Sequence, residues 1–177
     1  MNTEHQKIEY KSLQKIRTGE KGFKELSTTC VALANAQGGQ IMIGVEDKTK
    51  KPAPNQVISQ EEANCAVTRL RGLCFNVGLA VGDICADETG SQYFAITVFP
   101  SLHSYATTSD GKMYIRVADK CEPVRSEDIQ RVGEEKGAFQ WELVPTQFEL
   151  EDENKTNLSK FANDIRQSDR VKQHIKQ

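Results

Sequence analysis

Carboxylates and ammonium groups gather around two short stretches of this 177-residue chain, and their spacing allows two kinds of chemistry. Glu9 lies in KIEYKSL at 7–13, and Glu46 with Asp47 follows IMIGV at 41–45. If these stretches are neighbouring strands, the acids converge at one end of a sheet. Converging carboxylates supply the oxygen ligands that magnesium or manganese takes, and such an ion activates water for phosphodiester cleavage. Solvated strand ends also carry acids without any such role, so residue types alone leave both readings open. Cations stand beside the acids: Lys11, Lys15, Arg17, Lys21 and Lys24 crowd the first stretch, and Lys48, Lys50 and Lys51 follow the second. In KMYIRVA at 112–118, Arg116 shares its parity with Lys112 and Tyr114. A strand face of cations and one aromatic ring suits phosphates and an unstacked base, although an ordinary solvated face has the same composition. The residues that carry the phosphate-docking reading are Lys11, Lys48, Lys50, Lys51 and Arg116.

Other motifs lead to no chemistry. NAQGGQIMIGV at 35–45 runs helix, glycines, strand, whereas a phosphate loop runs strand, glycines, helix so that free N–H groups meet the anion. His103 and Ser104 sit in a hydroxyl-rich stretch without GxSxG, and nucleophilic catalysis needs a third orienting group. The three histidines are scattered and the five cysteines form no CxxC pair. Cys30, Cys65 and Cys74 fall on apolar helix faces, which fits small buried thiols in a reducing compartment.

The elements that must position these groups follow from periodicity. Residues 7–13 alternate apolar and polar like a half-buried strand, and TGEKG at 18–22 reads as a turn. Phe23, Leu26, Cys30 and Leu33 recur at helical steps, Gly38 stands where a helix end needs positive φ, and IMIGV is apolar on both parities, as in a central strand covered on both faces. KTKKPAPNQ at 48–56 is a loop. Ser59 with Glu62 makes a capping box ahead of a helix carrying Ala63, Ala66, Val67, Leu70 and Leu73. Strands are predicted at 79–86, 92–99 and 112–118, with a short helix capped by Ser126.

The net charge of −2 gives no overall basic excess, so a nucleic-acid surface has to come from how charge is distributed. No apolar run approaches the roughly 20 residues of a membrane helix, and the first residues are too polar for a secretion signal, which makes the cytoplasm the expected compartment. Residues 1–145 are expected to form one domain. Residues 146–177 are expected to hold an acidic linker, ELEDEN at 149–154, and a helix from about Asn157 with Leu158, Phe161, Ala162 and Ile165. That helix runs on through VKQHIKQ with no stop signal, as in the N-terminal piece of a longer protein.

In order and spacing, IEYKS at 8–12, ALANAQGGQIMIGVED at 32–47, a strand ending at Pro100 and GKMYIRVADKCEPV at 111–124 resemble the AlbA-type nucleic-acid-binding domain of the Schlafen group. The same domain opens many bacterial proteins labelled divergent AAA, RecG-related or transcriptional regulator. The resemblance implies an α+β fold, a mixed β-sheet with packed helices, and a regulatory role in binding DNA or RNA. Some Schlafen members have a metal-dependent RNA endonuclease site whose acids correspond here to Glu4, Glu9 and Asp47, with Glu9 and Asp47 as implied ligands of magnesium or manganese. Relatives often show R-x-G-[ST] after the last strand, where this chain has Arg116-Val-Ala-Asp119. Catalytic Schlafens pair two such lobes, which a homodimer would supply here, and bacterial relatives continue into further C-terminal domains.

Overall fold

The computed structural model describes residues 7–135 and 152–167. They fall into two compact units, one within 1–140 and one within 141–177. The first is an α+β domain built on a four-stranded mixed sheet of order β1-β2-β5-β4. Strand β1 (Ile8–Lys11) runs parallel to β2 (Gly39–Ile43), with Tyr10 opposite Met42. Strand β5 (Gln92–Phe99) is antiparallel to β2 and to β4 (Gly78–Ala86), which bulges between Val81 and Ile84. Between β1 and β2 lie α1 (Gln14–Arg17) and α2 (Glu20–Asn35), and α3 (Gln60–Leu73) leads into a short strand β3 (Cys74–Phe75). Two small ribbons complete the unit: β3 pairs β6 (Thr107–Thr108), and β7 (Tyr114–Val117) pairs β8 (Lys120–Pro123). A 3-10 turn at Ser126–Asp128 runs into α4 (Ile129–Glu135).

The stripe of Phe23, Leu26, Cys30 and Leu33 is buried, as its spacing requires, and packs with Leu70 against Ile41, Ile43, Phe94 and Ile96 of the sheet. Helix α2 begins at Glu20 rather than after the predicted turn at 18–22. Gly22 lies inside it because a Cβ there would stand 2.0 Å from the Lys15 carbonyl oxygen, so glycine lets α1 lie on α2. Gly38 takes the expected positive φ, +72°, and releases the chain into β2. Ser59 caps α3 by accepting from the Glu62 N–H. The Glu62 carboxylate bonds the Ser59 backbone in return, as the capping box requires. It is gripped by Arg17 through two bonds of 2.7 and 2.9 Å, which ties α1 to the start of α3.

Several expectations are corrected. Strand β2 is interior in the sheet but buried on one face only, since Gln40 is exposed and Met42 half-buried while Ile41 and Ile43 are closed off. Cys65 is exposed, and Cys74 begins β3 rather than ending a helical stripe. Cys30 is buried beside Cys74, whose thiol, followed by burial, pushes the Cys30 thiol well up. Strand β8 was not foreseen, and Ser126 opens a 3-10 turn without a side-chain cap. In the second unit, α5 (Asp152–Gln167) starts earlier than predicted and leaves Leu158, Phe161 and Ile165 exposed. The predicted continuation through 171–177 lies outside the described residues. Among the described residues no helix is long and apolar enough to cross a membrane.

Candidate nucleic-acid interface

Strand β1 is an edge strand whose two faces meet different surroundings. In a parallel pair, partners in register point the same way. Glu9 is opposite Ile41 and Lys11 opposite Ile43, so the two charged side chains turn toward the helix-covered face. Ile8 and Tyr10 turn to the other face, with Gln40 and Met42. A half-buried strand would ordinarily turn its apolar residues inward, and here the order is inverted.

Arg116 explains the inversion. Helix α2 ends at the buried Asn35, whose amide donates to the carbonyls of Ala106 at 2.8 Å and Tyr114 at 2.9 Å and accepts from the Ala106 N–H at 2.9 Å. The bond to Tyr114 pins β7 against α2, and the two to Ala106 pin the segment just before β6. The first delivers Arg116 to the helix side of the sheet, where its Nη2 donates to Glu9 Oε2 at 2.6 Å. Lys11 Nζ donates to Glu9 Oε1 at 2.6 Å, so the carboxylate lies between two cations. The Arg116 side chain is 3% exposed and that of Glu9 18%. Burial pulls the guanidinium down, but the bonds to Cys121 and Glu9 outweigh it and hold Arg116 above its ordinary value. Its Nη1 lies 3.3 Å from Cys121 Sγ, and its Nε has no partner among the described residues. The solvated cation face expected for β7 is therefore corrected: Arg116 is a buried clasp rather than an exposed contact.

The opposite arrangement holds where β2 ends. Gly44 N–H donates to the Lys11 carbonyl, which carries the pairing to the rim. Residues 45–52 then form a tight loop, bridged between Val45 and Pro52 and closed by Glu46 N–H to Lys51 O at 3.0 Å and Lys50 N–H to Glu46 O at 2.8 Å. Closing it requires Lys50 at φ 53°. The loop exposes Lys48, Lys50 and Lys51. The Lys50 ammonium stands 4.2 Å from the Tyr10 ring centroid and donates to Asp47 at 2.6 Å. That bond holds the Asp47 carboxyl below its ordinary value, although its side chain is 77% exposed. Beside the loop, on the face of Tyr10 and Met42, is a cleft of about 590 Å³ that Tyr93 also lines.

The rim thus brings together Lys11, Lys48, Lys50, Lys51, Glu9 and Asp47, while Glu4 lies outside the described residues. Lys15 and Arg17 are bonded to Glu25 and Glu62. A divalent ion held by Glu9 and Asp47 would need both carboxylates turned to one point. Glu9 has each oxygen on a cation and Asp47 is bonded to Lys50. Among the described residues no group of three or more His, Cys, Asp or Glu is placed to hold a metal ion, so the residues as placed do not fit one. Ser104 hydroxyl lies 3.2 Å from that of Ser101, in the loop that also carries exposed His103. Sequence reasoning missed Asn35, whose signal was a polar residue closing a buried helical stripe, and Tyr93, which had none.

Known proteins place these features in context. The family described as Schlafen, AlbA_2 matches residues 4–125, a match consistent with a nucleic-acid-binding module. No curated protein matches the chain in sequence. The crystal structure of the DIP2311 protein from Corynebacterium diphtheriae is similar at 21% identity and a TM-score of 0.49, over 67% of this chain but only 25% of that one. The family match runs from the first strand through β8 and covers more than half of the sequence, so the chain belongs to the Schlafen AlbA_2 family.

Proposed function

We propose that this domain is the nucleic-acid-binding module of a cytoplasmic regulatory protein, a transcriptional regulator, and that it docks phosphates at the rim where β1 and β2 end. The observation that carries this reading is the closed 45–52 loop, which holds Lys48, Lys50 and Lys51 exposed beside the Lys11 end of β1. A loop fixed by its own backbone bonds presents ammonium groups with less ordering cost than a free lysine-rich tail. The chain has no excess of positive charge, and this local cluster supplies what the total lacks. Arg116 serves as a positioning residue: it fixes Glu9, and Glu9 holds Lys11 at the strand end.

Full-length chain titrated against labelled DNA and RNA at rising salt tests this. Four neutralised phosphates make duplex binding fall by roughly a hundredfold between about 50 and 200 mM salt. Replacing Lys48, Lys50 and Lys51 together by Ala should lower the log–log slope by about 2.7, since each phosphate contact contributes about 0.9. Binding that stays level across that salt range, or a slope unchanged in the triple variant, overturns the reading.

A further inference from the structure

Resting on the nucleic-acid reading above, we propose that the cleft over Tyr10 and Tyr93 seats an unpaired base, so that the domain takes single-stranded nucleic acid in preference to duplex. Both rings stand on the open face of the sheet. Tyr10 is opposite Met42, Met42 is opposite Ala95, and Tyr93 lies two residues from Ala95 on the same side of β5. Neither tyrosine is on a loop, and both are half-buried, so each ring is held while part of it meets the cleft. The cleft volume of about 590 Å³ lies within the range of about 300–1,000 Å³ usual for small-ligand sites, ample for one nucleotide.

The walls are charged in a way that matches a nucleotide. Lys50 and Lys51 line one part, and Asp87 and Glu88 another. The Asp87 carboxylate is occupied: one oxygen accepts from the N–H and hydroxyl of Thr89 and from the N–H of Ser91. Phosphate is drawn to the lysines and kept away from the acids, which leaves the base over the rings with its N–H edge toward Glu88. Lys50 already marks the Tyr10 face as a cation site at 4.2 Å. Its bond to exposed Asp47 is of the weak, screened kind, so the ammonium is released to a phosphate when a base takes its place. Bases inside a duplex are stacked on one another and cannot present a face to these rings, whereas stacking on aromatic side chains is the common device of single-strand binders.

The test is a titration of the full chain against a labelled oligothymidylate of about twelve nucleotides, within the usual single-strand footprint, beside a hairpin duplex and thymidine monophosphate. The single strand should bind more tightly than the duplex. Tyr10→Ala and Tyr93→Ala should each weaken single-strand binding by about tenfold or more and leave duplex binding as it was. Phenylalanine at either position should recover the loss, because the ring and not the hydroxyl carries the stack. Alanine variants that bind the single strand like the parent, or that lose both substrates equally, overturn the inference. A monophosphate competing as well as the oligonucleotide overturns the strand assignment. If Tyr10→Ala does not fold, shown by its circular dichroism melt, Tyr93→Ala decides alone. Salt-dependent duplex binding with indifferent tyrosine variants removes the stacking site only, and a chain that binds no nucleic acid at low salt removes the phosphate reading as well.

Discussion

Glu9 and Tyr10 are neighbours in the chain, and the two sides of β1 that they define use charge in opposite ways. On the helix side a carboxylate, a guanidinium and an ammonium satisfy one another, and the guanidinium is nearly sealed from water. On the open side an ammonium rests on a ring and an exposed carboxylate, beside a cleft. The residue types are almost the same. Solvent decides the outcome: a buried charge must keep its partner because the alternative is an uncompensated charge in a poor dielectric, while an exposed pair exchanges its partner for water or a ligand at little cost. The sealed Arg116–Glu9 pair therefore belongs to the fold, while the open-side groups, with Lys11 held at the strand end, are available for binding.

The sharpest way to break that comparison is to remove Glu9. Glu9→Ala strands the buried Arg116, and breaking such a pair costs about 3–5 kcal/mol. For a chain of this size, each kcal/mol lowers the melting temperature by about 2–4 °C, so a fall of roughly 6 °C or more is expected by calorimetry. Adding Arg116→Met to that variant should return most of the loss, because an apolar side chain needs no counter-charge. A Glu9→Ala melt that overlays the parent would place Glu9 with the binding groups and erase the distinction between the two sides.

The hairpin that carries Arg116 offers a smaller effect of opposite sign. Ala118, between β7 and β8, has φ 56°, a left-handed conformation that costs an L-residue about 1–2 kcal/mol. The turn that joins the two strands is kept under strain. Ala118→Gly relieves the strain but gains freedom in the unfolded chain, so the net stabilisation is about 0.5–1 kcal/mol. The melting temperature should rise by about 1–4 °C with nucleic-acid affinity unchanged. A change in affinity would mean that the clasp region also touches the ligand.

Much of this was legible in the sequence, and the exceptions share a cause. The α2 stripe, the Ser59 cap and strand β5 at 92–99 follow from local periodicity and turn chemistry, and the pairing of Tyr10 with Met42, a condition of the sequence reading, is met by the sheet. The inward turn of Glu9 does not, because its reason is Arg116, 107 residues away, and IEYK read alone alternates as any edge strand does. The exposed reading of Arg116 failed for the same reason: strand parity gives two faces but not which one is covered. TGEKG reads as a turn although Gly22 lies inside α2, because a close helix–helix approach leaves no periodic trace. At the site, the lysines after β2 were visible as a run, whereas Tyr93 joined them only through a sheet register that pairs distant segments.

The smallest expected change is also the one that separates the readings of the rim. Asp47→Ala removes an exposed carboxylate bonded to Lys50, so its effect on stability should stay within about 0.5 kcal/mol. Freed from Asp47, Lys50 has one less competitor for phosphate, and affinity for nucleic acid should rise about two- to fourfold at low salt, in line with the few tenths to 1 kcal/mol that such exposed pairs are worth. The gain should vanish at high salt, where the pair is screened in the parent as well. As the pH falls through the depressed Asp47 titration, the parent should approach the variant, because protonating the carboxyl also frees the lysine. If Asp47 instead served a metal-dependent cleavage site, the same variant would abolish cleavage of structured RNA in manganese. A loss of that kind, with binding no tighter, would move Asp47 from the binding side of the comparison to a catalytic one.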